Sequence, residues 1–374
     1  GMDAIPQLQR LSEARRLAMK ALAQVLPFRT NSYVTEQLID WDDIPADPIF
    51  QLTFPQPGML EPVDLARVTT LVRASATPKQ VRAEADRIRL KLNPHPAGQL
   101  EHNVPRLDGM PLPGLQHKYR ETVLFFPGRG QTCHAYCTYC FRWAQFVGME
   151  GLRFAQRETA TFHEYLRRHT EVSDVLLTGG DPLVMRAWHL RAYVEPLLAP
   201  AFEHVRQIRI GTKALAFWPY KFVSDPDADS LLRLFERVVA SGRHLALMAH
   251  FTHPRELDTP VVRKAIERIR GTGAVIRTQA PLVRHINDSA STWAEMWRTQ
   301  VRLGCVPYYM FVERDTGPKG YFEVPLATAH DIFRRAFRQV SGLARTVRGP
   351  SMSATPGKVA VLGTQEVHGE KVFI

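Results

Sequence analysis

Six short apolar runs, separated by stretches with helical spacing, constrain the fold of this chain more than any other feature of its sequence. Such alternation is typical of parallel strands covered by helices, because each helical stretch is long enough for a crossover. It predicts an α/β fold, an incomplete (β/α)6 barrel with its chemistry at the carboxyl ends of the strands. A doubly wound open sheet is the alternative. The apolar runs are 122–126, 174–178, 207–211, 244–250, 274–279 and 306–311, and the helical stretches are 157–170, 185–198, 228–241, 260–271, 291–303 and 326–340.

The segments before and after this alternation have different patterns. Residues 9–27 and 78–92 carry apolar positions at helical spacing, and Pro78 is placed to start the second helix. The Pro-rich stretches 43–63 and 94–114 are interpreted as long connections.

The final stretch, 357–374, predicts two short strands joined by a turn, as a lid or an edge hairpin. We therefore expect an N-terminal helical region over 1–110, a barrel over 111–345 and a C-terminal extension over 346–374. Gly1, which precedes Met2, resembles a cloning residue and carries no argument.

Composition and charge exclude several classes of protein. The 374 residues are 45% hydrophobic and 23% charged, which is ordinary for a globular protein. No run approaches the roughly 18 to 20 apolar residues of a membrane span, and the N-terminus lacks a signal-peptide pattern, so we expect a soluble cytoplasmic protein. The 48 basic residues exceed the 37 acidic ones, but they are spread along the chain without a polybasic run. We therefore expect a solvated surface and neither nucleic acid nor a membrane as partner.

The cysteines are unevenly distributed. Cys133, Cys137 and Cys140 stand together in QTCHAYCTYCF, whereas Cys305 lies beside an apolar run and is expected in the core. Three thiolates on one loop can each hold one iron of a 4Fe–4S cluster and leave the fourth iron open. Structural zinc needs a fourth nitrogen or sulfur ligand, for which His134 is badly placed. Zinc and three unrelated buried thiols remain as alternatives.

The Cys-x3-Cys-x2-Cys spacing, at the end of the first strand of an incomplete barrel, resembles that of the radical S-adenosylmethionine (SAM) enzymes. In those enzymes the open iron binds the methionyl group of SAM, and an electron from the cluster cleaves SAM to a 5'-deoxyadenosyl radical. The sequence TGGDP after the second run is similar to their Gly-Gly-Glu-like element, which implies SAM binding by Gly179, Gly180 and Asp181. The alternative is a strand-to-helix turn capped by Asp181. Arg209 and His250, placed at strand ends, are further SAM-binding candidates, although such a histidine is often a packed polar residue.

A wider resemblance covers most of residues 111–311. The stretches PLPGLQHKY, CTYCFR, VSDVLLTGGDPL, IRIGT, HFTHPREL, TQAPLVRHIND and VPYYMF are similar, in order, to the lysine 2,3-aminomutase family. That family also contains glutamate 2,3-aminomutases and an enzyme that modifies lysine for elongation factor P. The resemblance implies an isomerase in which pyridoxal phosphate forms an imine with the substrate amine. A 5'-deoxyadenosyl radical then abstracts a β-hydrogen, and the amino group moves between C2 and C3.

The same resemblance implies roles for individual residues. Lys358 in PGKVAV matches the imine-forming lysine, and Lys118 with Tyr119 matches a basic-Tyr pair that contacts pyridoxal phosphate. Gln279 matches a glutamine after the fifth strand that helps bind the phosphate. Arg142 matches an arginine that pairs with the substrate carboxylate, for which its guanidinium fork is suited. The alternatives are a solvated lysine, surface charge, a buried amide and a structural ion pair, respectively.

Two departures from the family pattern concern the phosphate. A family arginine in the first strand is Thr122 here, and the family's Ser-Arg-x-Pro reads Thr212-Lys213-Ala214-Leu215. The affinity for pyridoxal phosphate is therefore in question.

A third departure concerns the substrate. Lysine enzymes use two aspartates to hold the distal ammonium, and by ungapped count these positions are Arg314 and Ser351. Glu313 and Asp315 flank Arg314 and are the remaining candidates for that role. Because a buried ammonium without carboxylates is costly, lysine is not the favoured substrate, and Arg314 suits an acidic side chain instead.

The leading hypothesis is a radical SAM aminomutase that uses a 4Fe–4S cluster, SAM and pyridoxal phosphate. Its expected partners are a small amino-acid substrate and an electron donor such as flavodoxin or ferredoxin. One alternative is a divergent radical SAM enzyme without pyridoxal phosphate. Another is a non-catalytic iron–sulfur or zinc sensor. Because no cysteine follows Cys305, the metal-tied dimer of some family members is not implied, and the sequence leaves the oligomeric state open.

Overall fold

Four α-helices are described in the N-terminal region. The computed structural model describes residues 2–93, 102–149, 154–156, 158–354 and 357–374. The sequence predicts the first and the fourth helix, and both are confirmed. The helices are α1 (Glu13–Val25), α2 (Pro48–Thr53), α3 (Pro62–Arg73) and α4 (Pro78–Leu92).

The prediction of a long connection over 43–63 is wrong, because α2 and the start of α3 fall within it. Pro48 and Pro62 occupy the first helical turns, where a missing N–H costs no hydrogen bond. Asp47 caps α2 by accepting a hydrogen bond from the Phe50 N–H at 2.7 Å. The prolines therefore mark helix starts. Of the second predicted connection, 94–101 lies outside the described residues, and the remainder forms the short hairpin of β1 (Arg106–Leu107) and β2 (Met110–Pro111).

A nine-stranded sheet forms the centre of the molecule, and its spatial order from β3 to β11 follows the chain. Strands β4 to β10 are mutually parallel, and β3 and β11 are antiparallel at the two edges. The six predicted runs are confirmed as β4 to β9, whereas β10 is an additional parallel strand. The strands are β3 (Leu115–Tyr119), β4 (Thr122–Phe125), β5 (Asp174–Leu177), β6 (Gln207–Thr212), β7 (His244–His250), β8 (Val275–Leu282), β9 (Val306–Val312), β10 (Arg348–Ala354) and β11 (Gly357–Ala360).

The strand order decides between the two predicted architectures. A doubly wound sheet reverses its order at a switch point, and this sheet does not, so the open-sheet alternative is wrong. The sheet also curves until its edges meet. Lys118 on β3 donates hydrogen bonds from Nζ to the Ala354 carbonyl, at the end of β10, and, at 3.3 Å, to the Gly357 carbonyl, at the start of β11. The incomplete barrel is therefore confirmed, and a side chain spans its opening.

Helices cover the outside of the barrel. The predicted helical stretches are confirmed with ends shifted by a few residues, and α7 and α11 are short additional turns. Apolar residues of α8 and α9 at helical spacing are buried against the sheet, as amphipathic helices require. The helices are α5 (Thr159–Arg168), α6 (Ala187–Val194), α7 (Ala214–Phe217), α8 (Ala228–Ala240), α9 (Pro260–Gly271), α10 (Ala290–Arg302), α11 (Lys319–Phe322) and α12 (Leu326–Arg338).

The two faces of the strands differ in exposure. On β8, Thr278 is buried and hydrogen-bonds to Gln300 of α10 at 2.7 Å, so its face of the strand contacts the helices. The alternate residues Arg277 and Gln279 are only partly buried. Side chains of this second face therefore line an accessible interior of the barrel.

The C-terminal extension differs from its prediction. Three strands are present beyond residue 356 instead of two, because β11 pairs with β10 before the terminal hairpin of β12 (Thr364–Val367) and β13 (Glu370–Phe373) begins.

One apolar core joins the N-terminal region to the barrel. It contains Leu22 and Phe50 from the N-terminal helices together with Val123 and Ile210 from the strands. The division at residue 110 stays a prediction. No helix in the described ranges has the length and apolar character needed to cross a bilayer.

Candidate active site

The three clustered cysteines lie on a loop that follows β4, at the carboxyl end of the barrel. All three side chains are partly exposed, whereas Cys305 is buried in the core as predicted. Burial raises the pKa of Cys137 to about 12 and also raises the pKa of Cys133 and Cys140. The thiols are therefore protonated until a metal displaces their protons.

The ligand set bears on which metal the loop can hold. Among the described residues, one trio of His, Cys, Asp or Glu ligand atoms lies within 4.8 Å of one another, on His117, His169 and Glu171, away from the cysteine loop. A closed structural zinc site needs four protein ligands. Three cysteines on one loop suit three irons of a 4Fe–4S cluster whose fourth iron stays open.

The glycines of the TGGDP element allow the cysteine loop to pack closely. A Cβ on Gly180 would lie 2.5 Å from the Thr132 nitrogen, and one on Gly179 would lie 2.2 Å from Gln131 Nε2. Gly179 also has a φ of +135°, which side chains disfavour. Gly180 is therefore required by the backbone that leads to Cys133, and Gly179 is required by its own backbone conformation.

Asp181 is bound on all sides by protein. It is 1% exposed. Its carboxylate accepts hydrogen bonds from the Leu183 N–H at 2.9 Å, the Lys213 N–H at 2.8 Å and the Thr212 hydroxyl at 2.8 Å. These contacts match the capped-turn alternative, and Asp181 joins the ends of β5 and β6. A contact of Asp181 with SAM stays a prediction.

A polar network beside Cys137 is not evident from the sequence. Lys213 donates from Nζ to Glu256 at 2.7 Å and to the Thr252 hydroxyl at 3.0 Å. The Tyr139 hydroxyl lies 2.9 Å from the same Thr252 oxygen. The lysine that departs from the family pattern is thus neutralised by a buried glutamate next to the cysteine loop. HFTHPREL contains both Thr252 and Glu256, but only the fold brings them to Lys213.

His250 and Gln279 form a pair inside the barrel. Gln279 Nε2 lies 2.7 Å from His250 Nε2, so the amide donates to a neutral imidazole. Burial lowers the pKa of His250 to about 3, which keeps the ring neutral. His250 ends β7 as predicted. The position given to Gln279 is wrong, because β8 extends to Leu282 and Gln279 lies within it.

Arg209 does not lie at a strand end. It is the third residue of β6 and donates from Nε to Asp174 at 2.8 Å. Thr122, at the position of a family arginine, donates to the same carboxylate at 2.8 Å. The strand-end assignment of Arg209 is wrong because β6 continues to Thr212. A role for it in SAM binding stays a prediction.

Lys358 points from β11 toward aromatic rings of β9. Its Nζ lies 3.8 Å from the centroid of the Tyr309 ring and 5.3 Å from that of Phe311. Lys358 as a whole is exposed, as the solvated-lysine alternative predicts. Partial desolvation of its ammonium, together with Arg209 and Arg348, still lowers the pKa of Lys358, although Tyr309 opposes this shift. A lysine with a lowered pKa has a larger neutral fraction, as an imine-forming amine requires.

Lys118 and Tyr119 lie close to Lys358 across the opening of the barrel. Lys118 bonds the carbonyl of Gly357, the residue before Lys358, and Tyr119 interacts electrostatically with Tyr309. The fold therefore brings this adjacent pair close to Lys358, which lies far later in the sequence.

Two arginines face one aromatic ring near the cysteines. The guanidiniums of Arg142 and Arg314 each lie 4.9 Å from the Phe141 centroid, and Arg142 also lies 4.4 Å from that of Phe126. Burial and the nearby Arg314 lower the pKa of Arg142 to about 10. Within the described ranges, no acidic side chain forms an ion pair with either arginine. The structural ion pair considered for Arg142 is not formed there.

The acidic neighbours of Arg314 are directed elsewhere. Asp315 pairs with Lys319 at 3.1 Å. Both Glu313 carboxyl oxygens are buried without a hydrogen-bond partner, and burial with nearby Glu323 raises the Glu313 pKa to about 9. Ser351 is buried within β10. Glu313 and Ser351 therefore present no carboxylate anion to the two arginines.

Comparison with known proteins identifies relatives of this arrangement. A protein of Aquifex aeolicus described as a putative L-lysine 2,3-aminomutase is 33% identical over 362 residues, which cover 96% of this chain and 84% of that protein. The L-lysine 2,3-aminomutase of Escherichia coli is 30% identical over 250 residues, 66% of this chain and 68% of that enzyme. The chain belongs to the lysine 2,3-aminomutase family. The resemblance found in the sequence is thereby confirmed.

Other members of the lysine 2,3-aminomutase family align over a smaller share of their length, 52% for the enzymes of Fusobacterium nucleatum and Clostridium subterminale. No family model matches the chain. Among solved structures, a radical SAM methyltransferase from Sphaerobacter thermophilus aligns with 63% of this chain and 68% of its own, at a TM-score of 0.42 and 18% identity.

Proposed function

We propose that this member of the lysine 2,3-aminomutase family is a radical SAM enzyme that moves an amino group between C2 and C3 of an amino acid. The observation that carries the proposal is a set of side-chain contacts around the cysteine loop and Lys358. Arg142 and Arg314 each lie 4.9 Å from the ring of Phe141, which follows the last clustered cysteine, and Lys118 donates a hydrogen bond at 3.3 Å to the carbonyl of Gly357, the residue before Lys358. When bound, a 4Fe–4S cluster with SAM supplies a 5'-deoxyadenosyl radical, and pyridoxal phosphate stabilises the radical beside the migrating nitrogen.

The cysteine loop fits a cluster. Cys133, Cys137 and Cys140 lie on one loop, are partly buried and are free of disulfides, and three thiolates can each hold one iron of a cluster. Gly179 and Gly180 hold this loop against the end of β5 and leave no room for a side chain between them. The SAM site would form above these glycines, where the barrel interior opens.

The residues around Lys358 fit pyridoxal phosphate. The rings of Tyr309 and Phe311 beneath Nζ offer an apolar surface for an aromatic ligand. Arg348 and Lys358 both interact with the Tyr309 hydroxyl and lower its pKa against the effect of burial. Arg348 therefore offers a positive charge to a phosphate near Lys358, although Thr122 replaces the family arginine in the first strand.

Arg142 and Arg314 favour an anionic substrate. In this proposal Arg142 pairs with the α-carboxylate, and Arg314, on the same ring of Phe141, is a second cation without an ion-pair partner in the part of the chain that the structure describes. An acidic amino acid such as glutamate or aspartate would satisfy both guanidiniums, whereas the lysine ammonium would meet Arg314 with like charge.

The test of the cofactors starts from anaerobic reconstitution of the full chain with iron, sulfide and pyridoxal phosphate. We expect cluster absorbance, reductive cleavage of SAM to 5'-deoxyadenosine, and an absorbance band of lysine-bound pyridoxal phosphate that Lys358→Ala abolishes. Lys264→Ala, an exposed helical lysine, is the matched control. A cluster without the pyridoxal band would establish the enzyme without pyridoxal phosphate. One zinc and no iron or sulfide would establish the sensor.

The substrate test compares glutamate, aspartate and lysine by chromatographic detection of the β-amino acid. Glutamate or aspartate should react, and Arg314→Ala should raise KM at least tenfold through loss of a charged contact. Conversion of lysine alone would refute the assignment of Arg314 and leave the cofactor proposal standing.

A further inference from the structure

The N-terminal segment 29–52 holds the cysteine loop by its backbone. The Arg29 carbonyl accepts a hydrogen bond from the Tyr136 N–H at 2.9 Å, and the Leu52 carbonyl accepts one from the Thr138 N–H at 2.9 Å. Both donors lie between cysteines of the cluster motif. The loop therefore takes its shape partly from a segment about a hundred residues earlier in the chain.

The Arg29 side chain holds the other side of the same loop. Its Nη1 donates to the Thr132 hydroxyl at 2.8 Å and to the Cys133 carbonyl at 3.2 Å. Thr132 is fixed in turn, since its hydroxyl oxygen lies 2.9 Å from that of Tyr136. Arg29 thus contacts the loop at Thr132, at Cys133 and at Tyr136.

A second N-terminal side chain supports this arrangement. Asn31 Nδ2 donates to the His134 carbonyl at 3.2 Å and to the Phe217 carbonyl at 2.9 Å, which links the loop to α7. Asn31 is neutral, so Arg29 is the residue that adds charge to these contacts. Its guanidinium carries a full positive charge beside the first cysteine.

We propose that Arg29 is a positioning residue for the iron–sulfur cluster. Its hydrogen bonds hold the Cys133 end of the loop, and its positive charge favours the reduced cluster. The inference rests on the proposed function, because it requires a cluster on the three cysteines. A reduced cluster carries one more negative charge than the oxidised one, and a nearby fixed cation stabilises that extra charge. The hydrogen bonds act on iron retention, and the charge acts on the reduction potential.

A purely structural role would have a different signature. If Arg29 only fastened the N-terminal helices to the barrel, its removal would lower the melting temperature and leave the reduction potential unchanged. The potential is therefore the decisive measurement, and iron retention tests the hydrogen bonds.

The experiment compares wild type with Arg29→Ala, Arg29→Lys and Arg73→Ala, the last an exposed arginine on α3 as the matched control. Each protein is reconstituted anaerobically, and iron and sulfide per chain, the rate of iron loss to a chelator and the midpoint potential are measured. Arg29→Ala should lose iron about fivefold faster, consistent with loss of about one net hydrogen bond, and should require a stronger reductant. Arg29→Lys should restore the potential, and Arg73→Ala should match wild type.

Equal potentials and equal rates of iron loss in Arg29→Ala and wild type would overturn the inference. A potential in Arg29→Lys as low as in Arg29→Ala would overturn its electrostatic part. If Arg29→Ala does not fold, Thr132→Val removes the side-chain acceptor at similar size and supplies the iron-loss comparison. A wild-type chain that takes up neither iron nor sulfide would refute the proposed function itself, whatever the variants do.

Discussion

Replacing Asp181 with alanine should destabilise the fold in the absence of any cofactor. The carboxylate is buried and accepts from two backbone N–H groups, of Leu183 and Lys213, and from the Thr212 hydroxyl. Each buried donor left without a partner costs about 1 to 3 kcal/mol. The hydroxyl can turn toward another acceptor, and removing a buried carboxylate recovers part of its desolvation penalty. We therefore expect the free energy of unfolding to fall by about 3 to 5 kcal/mol.

Asparagine at the same position should have a smaller effect. It keeps one acceptor oxygen, but its amide group then faces one of the N–H donors. The expected loss for Asp181→Asn is about 1 to 3 kcal/mol. Asp331→Ala is the matched control, because that carboxylate is 62% exposed in a pair with Arg335 and should contribute less than about 1 kcal/mol.

The measurement is urea unfolding of the cofactor-free protein, followed by far-ultraviolet circular dichroism and tryptophan fluorescence. A change in the midpoint at constant slope reports stability. If Asp181→Ala unfolds at the wild-type midpoint but no longer binds SAM, the carboxylate serves the ligand and the capping argument is wrong.

Three further outcomes follow from the structure. Gly180→Ala should lower iron per chain by more than half after reconstitution, because its Cβ would stand 2.5 Å from the backbone of the cysteine loop. Gly342→Ala, which has open space around its Cβ, should keep the wild-type iron content. Equal iron contents in the two variants would contradict this prediction. Burial lowers the pKa of His250 to about 3 and that of His253 to about 4, so below pH 6.5 the unfolded chain binds protons that the folded chain excludes. As the pH is lowered to 5, the free energy of unfolding should decrease by about 2 kcal/mol for each of these histidines. Urea unfolding should show a smaller decrease between pH 7.5 and pH 5 for His253→Asn than for wild type. Cys305→Ala should keep full iron content and lose about 1 kcal/mol of stability, and lower iron in this variant would contradict its assignment to the core.

Periodicity predicted the barrel well because strand and helix spacing is a local property of the chain. The strands β4 to β9 appear where apolar runs occur, since one face of each strand packs against the covering helices. The missed elements have local explanations too. Prolines at 48 and 62 look like loop residues by composition, yet they occupy first helical turns. Strand β10 was missed because RGPSMSA contains Gly and Pro and lacks an apolar run.

The site was predicted less completely, because its contacts depend on tertiary structure. The cysteine spacing is a local motif, and Lys358 could be assigned only by resemblance. Nothing in the sequence places Glu256 beside Lys213 or Asp174 beside Arg209, and both pairs neutralise basic residues that otherwise look available for a phosphate. Arg142 and Arg314 are singled out by the sequence, but only the fold shows that both lie over the Phe141 ring and that neither has an ion-pair partner within the described ranges.

The closure of the barrel by Lys118 has a consequence for access to its interior. Within the described residues, β3 and β11 are the two edges of the sheet, and Lys118 joins them through hydrogen bonds to the Ala354 and Gly357 carbonyls. The sheet can therefore widen between these edges by breaking side-chain bonds alone, with every strand ladder intact. A ligand phosphate that attracts the Lys118 ammonium would compete with those carbonyls for the same three protons. Loading a phosphate ligand and loosening the wall of the barrel would then be thermodynamically linked events.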